Sequence, residues 1–214
     1  MKTRREKTQL SLCLILFFAL LATSPMAHAI LEVRGAYSIL NSTPNDINGM
    51  TTGMPAMTQL TGLGGDVIAS LPGMPVGLGA RYEQFKANGS NSTGSFDSTW
   101  TRVSVIVNKR LFDTFIYLGP ILTAGVSNDF QYSTTIANVT TNYKSTGNIS
   151  ASVGLEAGLK LSVFRIGGEA GYMYATLGDL NNSSTGALAT RTDGTAVKTD
   201  LSGPYFRATA GIGF

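Results

Sequence analysis

The sequence has one cysteine, one histidine and one tryptophan in 214 residues, and only 14% of it is charged, against roughly 25% in an ordinary soluble domain. The cysteine is Cys13 and the histidine is His28. Both fall in an N-terminal segment that reads as a leader. Lys2, Arg4, Arg5 and Lys7 precede an apolar stretch from Leu10 to Ala22, and the small-residue site Ala27-His28-Ala29 follows. This order marks a secretory signal peptide, with cleavage expected after Ala29. The expected organisation is therefore a signal peptide over 1–29 and one mature domain over 30–214. That domain has no thiol and no imidazole. A disulfide framework, a Cys/His zinc site, a cysteine nucleophile and every histidine-dependent triad are excluded.

Long apolar runs are also missing. Beyond the leader none approaches the roughly 18 residues that a membrane helix needs, which argues against a polytopic helical membrane protein. Charge of one sign is missing as well. The leader takes four of the 16 basic and one of the 13 acidic residues, which leaves 12 of each. The precursor's pI of about 9.0 is thus a property of the leader, and no basic patch remains for nucleic acid.

What is present is glycine, 25 residues of it, many Ser, Thr and Asn residues, and apolar residues at a period of two, the mark of a strand with two unlike faces. Ile149 to Leu161 shows it best. Ile149, Ala151, Val153, Leu155, Ala157, Leu159 and Leu161 share one face, and Ser150, Ser152, Gly154, Glu156, Gly158 and Lys160 share the other. Seven further segments sort likewise. They begin near Leu31, Leu63, Val76, Thr101, Ile116, Ile166 and Phe206, and in the fifth of the eight, Tyr117, Gly119, Thr123 and Ser127 are assigned to the polar face.

Connections alternate in length. Stretches near 41–62, 87–98, 133–146 and 181–200 are long and rich in Asn, Ser, Thr and Gly, whereas 72–75, 111–114 and 162–165 are tight. Eight strands with short turns at one end and long loops at the other predict an all-β, eight-stranded, antiparallel up-and-down barrel of the transmembrane kind. A bilayer cannot satisfy a sheet edge, so the sheet must close. Apolar side chains then face lipid and charged ones face the lumen. A secreted soluble barrel, an alternative reading of the same strands, needs the reverse.

The pattern resembles the small eight-stranded outer-membrane proteins of Gram-negative bacteria, the group of the OmpA transmembrane domain and OmpX. Its most specific piece is the last segment, Phe206 to Phe214. There Phe206, Ile212 and the terminal Phe214 look like that group's signal to the outer-membrane assembly machinery. The resemblance implies a monomer in outer-membrane lipid, with a structural envelope role and porin-like architecture. The chain ends at Phe214, so OmpA's cell-wall tether is not expected. Small-barrel enzymes similar to this scaffold rely on His with Ser, so no catalytic residue, cofactor or metal is expected.

Three constellations remain. Glu32, Asp66, Glu83, Glu156 and Glu169 meet Arg34, Arg81, Arg102, Lys160 and Arg207 on the predicted lumen face, as a structural ion-pair network or, alternatively, the lining of a narrow channel for small or apolar solutes. Met50, Met54 and Met57 in the first long stretch offer thioethers that suit Cu(I), or a soft apolar surface for packing or a partner. Asp193-Gly194 predicts a two-residue hairpin turn. It would make 187–201 a protruding ribbon for adhesion to an extracellular ligand or host surface.

Overall fold

The computed structural model describes residues 30–70, 76–146 and 149–214; the leader and the tight turn at 72–75 lie outside the described residues. Its strands are β1 (Ile30–Asn41), β2 (Gln59–Ser70), β3 (Val76–Ser90), β4 (Ser95–Lys109), β5 (Phe112–Asp113), β6 (Ile116–Ile136), β7 (Val139–Thr146), β8 (Ile149–Leu161), β9 (Phe164–Asp179), β10 (Asn181–Asn182), β11 (Lys198–Asp200) and β12 (Gly203–Gly213), with one short helix, α1 (Asn45–Asn48).

Eight antiparallel staves make the barrel: β1, β2, β3, β4, β6, β7 with β8, β9 and β12. The lower half of β6 pairs with β8 and its upper half with β7. The sheet closes where β12 meets β1, from Leu40↔Tyr205 down to Glu32↔Gly213. Closure gives every stave a neighbour on both sides within the apolar belt, as a wall in hydrocarbon requires.

The alternation sorts the two faces as the sequence indicates. Val33, Tyr37, Leu63, Val67, Leu78, Val105, Val107, Leu155 and Ile166 point outward and are exposed, while Glu32, Arg34, Asp66, Arg81, Glu83 and Arg102 are buried. The apolar belt has aromatic margins, as outer-membrane barrels do. Phe112, Phe115, Phe164 and Phe214 lie at the end with short turns, and Tyr37, Tyr82, Tyr172 and Tyr174 at the other. Phe164 to Tyr174 are the outward ends of eleven residues of β9. At ~3.4 Å per residue and a tilt of ~45° that run rises about 24 Å, close to a hydrocarbon core's requirement.

Three features differ from the sequence reading. First, 87–98 and 133–146 are strand rather than loop. β3 and β4 run on to a tip at 91–94, where the Asn91 side-chain oxygen accepts the Thr93 and Gly94 amides at 2.9 and 3.2 Å. β6, 21 residues long, turns into β7 through Ala137-Asn138, both with left-handed φ (48° and 65°). That is the two-residue turn a twisted hairpin favours, made here without glycine. The Ser/Thr/Asn composition looked like loop because one face of this extension is in water.

Second, a β-bulge interrupts β6 opposite Val103 and Ser104. The extra residue flips the alternation. Ser127, assigned inward from the sequence, is exposed, and Phe130, Tyr132 and Thr134 become the buried set.

Third, 187–201 is not a protruding ribbon. Only one isolated bridge, Thr190↔Ala196, spans its tip. Among Arg191–Thr195 only Gly194 has positive φ, at 85°, and its amide donates to the Arg191 carbonyl at 3.0 Å. The turn is therefore a four-residue one closed by a left-handed glycine, not the two-residue form expected.

The Met-bearing stretch 41–58 takes its packing alternative and folds inward over the barrel mouth. Met57 and Ile47 are buried, and Met50 and Met54 pack against the same cluster.

Candidate functional site

The lumen is built by residues that alternation forces inward and closure brings face to face. Asp66 on β2 is its hub. It accepts Arg207 at 2.6 and 2.8 Å, Arg81 at 3.0 and 3.4 Å, and Arg34 at 3.1 Å, from β12, β3 and β1. Each arginine reaches a second acid. Arg81 grips Glu169 with two bonds of 2.7 and 3.1 Å. Arg34 donates to Glu156 at 2.9 Å. Arg207 lies 3.4 Å from Glu83.

Arg102 closes the set by donating to Glu83 at 3.0 Å, to the Ser150 hydroxyl at 2.9 Å and to the Thr123 hydroxyl at 2.6 Å. Neutral groups complete the acids. Tyr205 donates to Glu169 and Asn108 to Glu156, both at 2.5 Å, and Ser38 donates to Glu83 at 3.2 Å. An ionised side chain out of water requires such pairing.

Nine of the ten charged residues read from the sequence lie in this buried network. Lys160 does not: it is partly exposed at the short-turn end and pairs with Asp113. Two arginines escaped the sequence reading. Arg110 grips Glu32 at 2.6 and 2.8 Å, and Arg165 lies 3.4 Å from Glu32. Arg165 sits in an expected turn and Arg110 just before one, yet both continue the inward parity, Arg110 from Asn108 and Arg165 from Glu169. That was the available signal. Among the described residues the network thus holds six guanidiniums and five carboxylates. Tyr117 wedges beneath it, with Arg110 4.8 Å above its ring. The wedge fits because Gly158 and Gly167, paired across β8 and β9, have no side chain; a Cβ on either would lie 2.4 or 2.1 Å from the Tyr117 hydroxyl.

Above the charges the interior becomes apolar. Leu40, Leu60, Phe85, Trp100, Phe130 and Met173 line the upper barrel. The first connection adds Ile47 and Met57 from above, and the last adds Leu180, Ala189, Val197 and Leu201. Trp100 stacks on Phe85 at 5.2 Å, and Tyr132 on Phe96 and Phe130 at 6.0 and 6.4 Å. The two connections are clasped outside this cap. Arg191 donates to Asp46 at 3.1 Å, and the Thr192 amide donates to the Gly49 carbonyl at 3.3 Å. Asp193 and Gly194 form the exposed corner of the clasp. The Asp193 carboxylate accepts the Thr195 hydroxyl at 2.6 Å and its amide at 2.9 Å, which holds the carboxyl below the usual range.

Beyond the cap, β3, β4, β6 and β7 carry on upward as a hairpin sheet. Its outward face holds Asp97, Thr99, Gln131, Ser133 and Asn142, and its far edge is β7, which pairs with β10 only at Tyr143 and Lys144. Phe206, toward the cap, and Ile212 and Phe214, at the opposite end, all point outward, and the Phe214 backbone exchanges hydrogen bonds with Leu31 at 2.9 and 3.2 Å. Chemically, the buried acids are fully engaged as acceptors. Among the described residues no three His, Cys, Asp or Glu side chains gather as a metal site.

No protein-family model matches the chain, and no curated protein matches it in sequence. Solved structures do share its fold. The attachment invasion locus protein Ail of Yersinia pestis is 14% identical, with a TM-score of 0.52 over 87% of this chain and 97% of that one. Ail in complex with the heparin analogue sucrose octasulfate gives a TM-score of 0.51 at 14% identity, over 88% of this chain and 99% of that one. A major outer membrane protein from Thermus thermophilus is 13% identical, with a TM-score of 0.59 over 87% and 99% of the two chains. The fold is that of the small eight-stranded outer-membrane barrels.

Proposed function

We propose that this chain, exported by cleavage of residues 1–29, spans the bacterial outer membrane as a non-enzymatic, non-conducting barrel that displays a binding sheet to the outside. One observation carries the reading: charge is inside and hydrocarbon is outside. Soluble monomers rarely expose contiguous apolar patches larger than a few hundred Å², and this belt encircles the barrel. The apolar cap supports a closed barrel rather than a narrow channel, because the upper lumen is filled by Trp100, Phe85, Met57 and Val197. The outward Phe206, Ile212 and Phe214 suit recognition of the last strand by the assembly machinery.

The binding element is the β3–β4 and β6–β7 sheet. Its outward face is free of the cap, and it has an edge at β7 that a partner strand can join. The connection 187–201 is a poorer candidate, since Ala189 and Val197 are committed to the cap. Ail, which shares the fold, binds a heparin analogue; for this chain the ligand class is an extracellular or host-surface molecule. Fractionation with the outer membrane and heat-modifiable gel migration test the membrane reading, and recovery in the soluble periplasmic fraction refutes it. Planar-bilayer recording should show no steps. Shortening the tips at 88–97 and 134–141 should leave the barrel folded and abolish adhesion of intact cells; persisting adhesion refutes the sheet as the binding element.

A further inference from the structure

A cavity of about 370 Å³ opens at the upper margin of the apolar belt, at the small end of the range for small-molecule sites. Tyr172 and Thr176 on β9 line it from the barrel wall, Lys198, Asp200 and Ser202 from the last connection, and residues 43–46 from the first. None of its residues belongs to β3, β4, β6 or β7, so it is separate from the hairpin sheet. More of its lining is apolar than polar, with an aromatic ring from Tyr172 and a pyrrolidine from Pro44. The Tyr174 ring, 4.8 Å away between centroids, packs on Tyr172 and steadies it.

The polar groups are few, and most are unengaged. Asp46 is occupied: it takes Arg191 and the Lys198 amide, each at 3.1 Å. The Lys198 ammonium has neither an ion pair nor a hydrogen bond among the described residues. One oxygen of Asp200 accepts the Ser202 amide at 2.9 Å, and the other accepts nothing. The Ser202 hydroxyl oxygen accepts the Ala175 amide at 3.0 Å, which leaves its own proton to donate. With Asp46 neutralised by Arg191, the charges left to a ligand are Lys198 and Asp200, one of each sign.

From this combination we infer that the cavity is a binding site for a neutral saccharide. A pyranose has apolar C–H faces and a rim of hydroxyls, each of them both donor and acceptor. The Tyr172 ring and Pro44 suit the C–H faces, because a tyrosine ring is an apolar body with a polar tip. The rim needs donors and acceptors mixed at short range. Lys198 and Ser202 donate, Asp200 accepts, and the hydrogen bonds to the two charged groups are the strong ones. A sialylated or sulfated saccharide meets Asp200 and the nearby Asp179, which is across the ladder from Lys198. Like charges facing each other discriminate against such a ligand. A peptide strand needs an open sheet edge, whereas here β11 is paired with β9 and the Lys198 amide is bound to Asp46. This site is additional to the adhesion assigned to the hairpin sheet and does not depend on it.

The test is an array of neutral, sialylated and sulfated oligosaccharides, probed with the folded full chain in a detergent that has no sugar head. Heat-modifiable gel migration of each sample confirms that folded barrels are compared. Binding should be confined to neutral glycans. For the strongest of them the Kd should rise roughly tenfold in Tyr172→Leu, which keeps the belt apolar, and in Lys198→Ala, on an exposed connection. Tyr172→Phe, which keeps the ring, and Asp97→Ala, on the hairpin sheet, should bind as wild type does. No neutral glycan bound, a preference for sialylated or sulfated glycans, or an unchanged Kd in both Tyr172→Leu and Lys198→Ala overturns the inference. Loss of binding in Asp97→Ala alone moves the saccharide to the hairpin sheet and overturns it as well. The deacylated saccharide of the outer-leaflet glycolipid, added as a competitor, separates two sources of the same chemistry: competition assigns the site to glycolipid of the same membrane, and its absence to a glycan from outside.

Discussion

Replacing Asp66 by Asn removes the hub of the lumen while keeping its shape. Arg34, Arg81 and Arg207 then lose their shared counter-ion, and all three are buried. They are not stranded, since Glu156, Glu169 and Glu83 remain beside them at 2.9, 2.7 and 3.4 Å. The loss is therefore that of one broken buried ion pair, about 3–5 kcal/mol, rather than three. With a urea slope of about 2 kcal/mol/M, the unfolding midpoint should fall by roughly 1.5–2.5 M. Trp100 reports it. It is the only tryptophan, fully buried under the cap, and its fluorescence moves with loss of the barrel. A second variant removes ambiguity. Arg207→Met deletes one of the cations that Asp66→Asn leaves in excess, so the double variant should be less destabilised than the two singles predict together. A midpoint within about 0.3 M of wild type, or strict additivity of the two changes, would refute a dry, mutually dependent network.

Other consequences are independent of that one. Val105→Arg on the outward face of β4 should cost about 2–4 kcal/mol if it lies near the bilayer midplane, and Thr99→Arg, six residues higher on the same face, about 0–1; equal costs in reconstituted vesicles would place the belt wrongly. Phe214→Ser should lower the outer-membrane yield far more than Gly213→Ala, as quantified by immunoblot of membrane fractions, and equal yields would remove Phe214 from the assembly signal. Asp193 is fully exposed, and its lowered carboxyl comes from Thr195. The turn's stabilisation is thus present above the ordinary carboxylate range and fades as pH falls through the lowered value. Thr195→Val should move the Asp193 titration up toward that ordinary range, followed by the side-chain carboxyl chemical shift; an unmoved titration would assign the effect elsewhere.

The inside-outside code was legible in the sequence. A strand between two unlike media must alternate, and that is a local property of residues such as Ile149 to Leu161. It placed Glu32, Arg34, Asp66, Arg81 and Arg207 on one face before any contact was known, and carried two residues further it reaches Arg110. Which charge meets which was not legible. Asp66 and Arg207 are 141 residues apart in sequence and 2.6 Å apart in space. Register and closure decide that distance, and no short window contains either.

The upper barrel was the least legible part. A single extra residue near Val126 reverses the parity of β6, so Ser127 turns out and Phe130 turns in. Ser, Thr and Asn in 87–98 and 133–146 are loop formers by composition, yet here they are one wet face of a hairpin sheet whose other face packs on the cap. The Met-bearing stretch and 187–201 look solvent-exposed in isolation. Only the open mouth of a closed barrel supplies the apolar surface that draws Ile47, Met57, Ala189 and Val197 inward. Outside the bulge in β6, the sequence alone determined which residues face outward and which face the lumen, because alternation responds to the medium on each side of a strand. The tertiary structure decided the ion-pair partners, the flipped parity and the cap, because those depend on surfaces that exist only once the eight staves have met.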